Sequence, residues 1–173
     1  MKKLLLPFFF IGTMAMMVVM LKTGATLKTD TTPMGIIDLE FAYNTTKIKP
    51  ILSAWAPTEK TDNITAATIN TYWDFLFMFF YAGFLFLACK KIATTMKGTV
   101  AIAGNLIAKA ALLAAFLDVI ENTGMLITLH GHTSSTVSFC TTFFSVIKWG
   151  LVIIAVLYLL TGLLVLAYRR IKY

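Results

Sequence analysis

Four long apolar stretches divide the chain, at residues 4–21, 71–89, 99–129 and 137–168, and a polar segment at 22–70 separates the first from the rest. Each is near or above the roughly 18 to 20 residues that carry a helix across a bilayer, so each predicts a membrane-spanning helix. The stretch at 4–21 stands at the short end of that range and follows Lys2 and Lys3, a pattern that a signal-peptide core shares. Only a weak small-residue site follows at 23–25, which favours an uncleaved anchor. The stretches at 99–129 and 137–168 exceed what a bilayer needs, so those helices must tilt or project into water.

Within 22–70, Thr32-Pro33 sets a capping residue before a proline, a helix-start pattern. Apolar and acidic residues then mix through 34–43, and 48–55 is apolar again up to Trp55. Short helices lying over the outer mouth of a bundle fit that pattern. Such a cap brings Asp38 or Glu40 down toward the membrane. Asn44-Thr45-Thr46 and Asn63-Ile64-Thr65 match the glycosylation pattern, which matters only in a secretory pathway. The predicted fold is all-α, a polytopic membrane protein. It is a single domain over 1–173, with four transmembrane helices in an antiparallel bundle and short helices in the extracytoplasmic segment 22–70.

Composition agrees with that class. Hydrophobic residues make up 58% of the chain and charged residues 13%, where a soluble domain carries about 25% charged. The mean hydropathy is +0.81. Charge placement then orients the spans. Lys2 and Lys3, Lys90, Lys91 and Lys97, and Arg169, Arg170 and Lys172 all fall on one side if there are four spans. The positive-inside rule makes that side cytoplasmic, with both termini there and a bacterial inner membrane as the expected location. On the other side Lys22, Lys28, Lys47, Lys49 and Lys60 balance Asp30, Asp38, Glu40, Glu59 and Asp62. The net charge of +7 is therefore topology. Nucleic acid is not an expected partner, because that would need Lys and Arg clustered on one soluble face.

Against this apolar background a few polar groups stand out. Asp118-Val119-Ile120-Glu121-Asn122 interrupts the third stretch, and 118, 121 and 122 share one helical face by their three-and-four spacing. Ionisable groups at membrane depth are costly, and by default they are paired or functional. A hairpin turn centred near residue 133 sets Asp118 level with Lys148 on the fourth helix; one centred near residue 94 sets Asp74 level with Ala114, about a turn from Asp118. Small residues at Ala101, Gly104, Ala108, Ala111 and Ala115 run into Asp118 and Asn122, so this face packs on another helix. Lys109 lies about half a turn away and is expected to snorkel or to act. Tyr72, Trp73 and Trp149 beside these charges place the layer toward the outer leaflet; Tyr168 and Tyr173 mark the cytoplasmic end.

Several chemistries lack their residues. The sequence contains no Walker loop, glycine-rich dinucleotide turn, Gly-x-Ser-x-Gly or His-Glu-x-x-His. Cys89 and Cys140 fall at opposite ends of their helices, too far apart in depth for a disulfide. His130-Gly131-His132 alone is a weak metal pattern. No metal and no cofactor is expected.

The segments Gly35-Ile36-Ile37-Asp38-Leu39-Glu40, Trp55, Asp74-Phe75-Leu76-Phe77 with Tyr81-Ala82, and Asp118-Val119-Ile120-Glu121-Asn122 with Lys148-Trp149 carry a resemblance. Together they resemble a family of small, uncharacterised four-helix bacterial integral membrane proteins, over most of the chain. The resemblance implies the architecture and no activity.

Three readings of the polar layer remain. In the first, Asp74, Asp118, Glu121, Asn122 and Lys148, with Asp38, Glu40 and Trp55 from the cap, line an outward-facing pocket for a small polar, cationic or lipid-like ligand. Three acids against one lysine favour a cation or a retained proton. A role in transport would then require a homo-oligomer, since four spans rarely enclose a whole path. In the second, the same groups are a polar knot that fixes helix register. In the third, the chain is an enzyme acting on a lipid headgroup, with Asp118 or Glu121 as general base and Lys148 stabilising negative charge. No nucleophile is identifiable, so a non-enzymatic role is preferred, with the lipid bilayer itself as a partner.

Overall fold

The computed structural model describes residues 4–59 and 61–172; Lys2, Lys3, Lys60 and Tyr173, which carry part of the expected charge and aromatic pattern, lie outside the described residues. In chain order the helices are α1 (Leu5–Thr23), α2 (Ile36–Glu40), α3 (Thr45–Trp55), α4 (Asn63–Ala93), α5 (Gly98–Leu129) and α6 (Ser135–Lys172), with a short 3-10 turn over Ala25–Leu27. The described residues contain no strand. Four helices, α1, α4, α5 and α6, are long and apolar enough to cross a membrane. At 1.5 Å per residue the last three reach roughly 46 to 57 Å, well past a hydrocarbon core of about 30 Å.

Local chemistry sets the boundaries. α4 starts eight residues before the apolar stretch at 71 because Asp62 caps it. Asp62 Oδ1 accepts from the Thr65 amide at 3.0 Å, and Oδ2 accepts from the Thr65 hydroxyl at 2.6 Å. Asn44 caps α3 in the same way, accepting from the Lys47 amide at 2.9 Å. The helix start expected at Thr32-Pro33 is displaced. Thr32 Oγ1 instead donates to the Leu27 carbonyl at 2.7 Å, and Gly35 adopts φ +68°, a conformation other residues avoid. Only after that turn does α2 begin, so it is a five-residue helix rather than one filling 34–43.

Close approach of backbones organises the long helices. α4 is the hub, packing on α1, α5 and α6, while α5 also packs along α6. Between α1 and α4 two aromatic rings lie on two glycines. Phe80 covers Gly12, and Phe9 covers Gly83, so that an added Cβ at either glycine would overlap a ring. Gly104 of α5 holds the Tyr158 hydroxyl and the Ala93 methyl, and Gly162 of α6 holds Ile92. Of the small-residue stripe on α5, Gly104, Ala108 and Ala111 are buried, as a helix-packing surface should be, while Ala101 and Ala115 are half-buried and Ala114 is buried beside them. Lys109 is exposed.

A second core lies at the other end. Leu27, Leu39, Ile48, Ile51 and Trp55 from the 24–59 segment pack on Ala67, Met125 and Leu129. Trp55 is fully buried, and its indole N–H donates to the Leu27 carbonyl at 3.0 Å and to Thr32 Oγ1 at 3.1 Å. The cap is thus a packed layer across the ends of α4 and α5. It holds α2 in a fixed place.

Two outcomes follow from these contacts. Gly12→Ala should lower the unfolding free energy in detergent by about 1–3 kcal/mol through overpacking, whereas Gly150→Ala, with open space at its Cβ, should not. Separately, the hydrogen bonds from Thr65 hold the Asp62 carboxyl below its ordinary value of 3.8. A depressed carboxylate caps the helix at all pH values above that range and stops doing so as pH falls through its lowered value. The Thr65 amide resonance should therefore titrate with a midpoint below 3.8, and the titration should vanish in Asp62→Asn.

Candidate functional site

The polar face of α5 meets a polar stripe on α6. Ser138, Thr141, Ser145 and Lys148 recur at three-and-four spacing, and all four are buried. Opposite them Asp118 is 2% exposed and Glu121 and Asn122 are fully buried. Gly124 lets the helices close here, since its missing side chain leaves room for the Thr141 hydroxyl.

Lys148 is the centre of the site. Its Nζ donates to Asp118 Oδ1 at 3.1 Å and straddles Glu121, hydrogen-bonded to Oε1 at 2.8 Å and 2.8 Å from Oε2. A third carboxylate approaches from outside the long helices: Glu40 Oε2, on α2, stands 3.6 Å from Nζ. Glu40 is only 5% exposed. The same oxygen accepts from Ser145 Oγ at 3.1 Å and from the Trp149 indole at 2.9 Å, while the Glu40 carbonyl accepts from Thr142 Oγ1 at 2.8 Å. Four groups on α6 therefore hold the end of α2. The Lys148 ammonium also lies 5.4 Å from the centre of the Trp149 ring, within cation–π range.

On the α4 side the Tyr81 hydroxyl donates to Asp118 Oδ2 at 2.7 Å, and Asn122 Nδ2 donates to Asp74 Oδ2 at 2.8 Å. Both Asp118 oxygens are thereby engaged. Asp74 stands level with Asn122, about two turns along α5 from Ala114, where the turn-centred count places it. That count assumes that the two helices leave their turn at one height. In fact Ala93, the last residue of α4, lies against Gly104 of α5, so α5 begins more than a turn beyond the end of α4. The turn between α5 and α6 introduces no comparable stagger, and Lys148 meets Asp118 at its expected level.

The structure thus gathers Glu40, Asp118, Glu121 and Lys148 directly, with Asp74 and Asn122 joined alongside. It leaves Asp38 and Trp55 apart: Asp38 Oδ2 accepts from the Met34 amide at 2.8 Å, and Trp55 is committed to the cap core. Sequence reasoning did not single out Thr142 and Ser145, and it named Tyr81 and Trp149 only within the resemblance and, for Trp149, as an interfacial aromatic. Signals existed for two of them, since Tyr81 lies two turns from Asp74 on the same face, and Ser145 precedes Lys148 by one turn.

Three carboxylates face one ammonium, so the centre carries formal charge −2 with every group ionised. One buried acceptor of the site, Asn122 Oδ1, has no hydrogen-bond donor among the described residues, and Glu121 Oε2 meets the Lys148 ammonium alone, 2.8 Å away. The arrangement can therefore receive a proton or a donor-rich cation. His130 and His132 lie apart in the exposed α5–α6 turn, where His130 Nδ1 contacts the Leu126 carbonyl at 2.7 Å. Among the described residues no group of three or more His, Cys, Asp and Glu side chains is placed to hold a metal ion.

No family model, no curated protein and no solved structure matches the chain. The architecture and the site rest on the residues of this chain alone.

Removing one partner from a buried ion pair strands the other, at a cost of about 3–5 kcal/mol. Lys148→Met should lower stability in detergent by that order, because three carboxylates then crowd without an ammonium. Adding Asp118→Asn and Glu121→Gln to Lys148→Met should restore most of the loss, and a thermodynamic cycle of these variants measures the coupling.

Proposed function

We propose that the chain is a polytopic integral membrane protein, its four long helices spanning the bilayer as an antiparallel bundle. In this reading it lies in the bacterial inner membrane with both termini cytoplasmic, and it binds a small ammonium-bearing ligand in the Lys148 centre beneath the α2 cap. The observation that carries the reading is the convergence of Glu40, Asp118 and Glu121 on one ammonium, with the neighbouring Asn122 Oδ1 left without a donor among the described residues. An acid-rich, donor-poor site inside an apolar bundle favours a ligand that brings positive charge and N–H groups.

Glu40 supplies the means of entry. It is the only acid at the centre that comes from outside the four long helices, and it reaches Lys148 from the end of a five-residue helix. At 3.6 Å its pairing with Lys148 is longer than those of Asp118 and Glu121. Withdrawal of α2 uncovers Lys148 and the two α5 carboxylates while leaving their mutual bonds in place. The centre then opens toward the side that carries the 24–59 segment. Coupling to transport would require a second copy to complete a path.

One observation favours a purely structural role instead: Asp118 is already satisfied on both oxygens, by Tyr81 and Lys148. The two readings separate in a thermal-shift titration of the detergent-solubilised protein with methylamine and putrescine at neutral pH. A binding site gives saturable stabilisation that disappears in Glu121→Gln while that variant stays folded. Failure of either amine to raise the melting temperature, with the Lys148→Met loss recovered by the paired substitutions, leaves the structural role standing and overturns the binding reading.

A further inference from the structure

At the end of the molecule away from the cap, α1 and α6 both flank α4 but have no substantial contact with each other. The space between them is a groove of about 970 Å³, at the upper end of the roughly 300–1,000 Å³ typical of ligand sites. Phe10 of α1, Phe84 of α4, and Leu159 and Leu163 of α6 line its body, and Lys91 and Arg170 stand at one end. The polar lining thus concentrates where α4 and α6 finish, and the rest is hydrocarbon.

We propose that this groove is a binding site for one anionic phospholipid, its headgroup phosphate held by Lys91 and Arg170 and an acyl chain laid along α6 toward Leu159. Two features of the structure select that occupant. The first is length. From Leu159 to Arg170 the α6 wall covers 12 residues, about 16 Å of helix, which is close to half of a hydrocarbon core of about 30 Å. The groove is therefore one leaflet deep, with its cations at one end only. The second is charge. Lys90, Lys97, Arg169 and Lys172 share this end with Lys91 and Arg170, and the nearest acid along α4, Asp74, is 17 residues before Lys91. No acid in α4 or α6 competes for these cations close to the groove. Arg169 Nη1 donates to the Thr95 carbonyl at 3.3 Å, tying the end of α6 to the α4–α5 turn and leaving the adjacent Arg170 to the groove. A second copy of the chain would have to bring an acidic helix end to the same place, and α1, α4, α5 and α6 finish there in lysine and arginine or in neutral residues.

The inference rests on the four-span reading, and the experiment separates failure of the two. The purified full chain is reconstituted into phosphatidylcholine vesicles with and without phosphatidylglycerol, and bound lipid is counted by native mass spectrometry after extraction in mild detergent. Wild-type protein should retain one phosphatidylglycerol in preference to phosphatidylcholine. Lys91→Gln with Arg170→Gln should weaken that retention roughly 10- to 30-fold, the loss expected from two surface cations at about 1 kcal/mol each. Lys97→Gln with Lys172→Gln removes the same charge from outside the groove and should leave retention within about threefold of wild type. Leu163→Trp, which fills the groove, should also reduce it. Equal retention of both lipids, equal loss in the two double variants, or cross-linking of a second copy between α1 and α6 overturns the groove inference and leaves the four spans standing. Failure of the wild type to insert into either vesicle overturns both.

Discussion

A lysine buried between two helices has to be neutralised before anything else can settle. Lys148 is 5% exposed, and an unpaired charge at that burial costs several kcal/mol. Its partners therefore fix the relative position of three elements at once. Asp118 and Glu121 set the height of α5 against α6, and Glu40 brings α2 to the same point. Tyr81 carries the constraint on to α4 through Asp118. A slide of α5 by one turn against α6 would strand the ammonium and two carboxylates together. The ion cluster thus supplies register, which a uniformly apolar interface between long helices cannot supply by itself.

Cohesion comes from a different source. If the four long helices span a bilayer, as proposed, they gain little from burying apolar surface against one another, so close backbone approach has to contribute. The reciprocal Phe80–Gly12 and Phe9–Gly83 contacts do this for α1 and α4, and Gly104 and Gly162 do it for α5 and α6 around α4. These contacts lie largely on the side of the bundle away from the cap, while the ion cluster lies beneath it. Close packing and charge pairing are therefore spatially divided. One consequence is the groove beside α1: a helix that is anchored by two aromatic–glycine contacts to α4 alone leaves its α6-facing flank free.

That division also explains what was legible in the amino-acid sequence. The four long helices stand out because each has its own apolar run, and the Asp118–Lys148 pair stands out because a short turn makes residue counting reliable across it. The same counting misplaces Asp74, because α5 begins more than a turn past the end of α4, and no local pattern announces a stagger. The extra turns at the start of α4 hide in polar residues that a hydrophobic run excludes, although Asp62 and Thr65 form a recognisable cap. Thr32-Pro33 has the composition of a helix start, but a tertiary bond to the Leu27 carbonyl and the turn at Gly35 take precedence. Thr142 is the hardest to foresee. A threonine in an apolar helix usually bonds its own backbone, as Thr141 does to Val137, and only the arrival of α2 gives Thr142 a different acceptor.

The number of acids at Lys148 distinguishes a register device from a site. One carboxylate neutralises one ammonium, and Asp118, held by Tyr81 as well, already meets that need. Glu121 and Glu40 add charge that the centre does not require for pairing and that burial penalises. Glu40 adds it from a short external helix, held by Ser145, Thr142 and Trp149, none of which neutralises it. In the proposed reading, surplus negative charge delivered by α2 raises the affinity of the centre for a cation that replaces or accompanies the lysine. The proposed withdrawal of α2 removes an uncompensated charge, against the loss of the Ser145, Thr142 and Trp149 hydrogen bonds and of the Leu39 packing. Binding and opening are, in the proposed reading, two consequences of the two excess carboxylates.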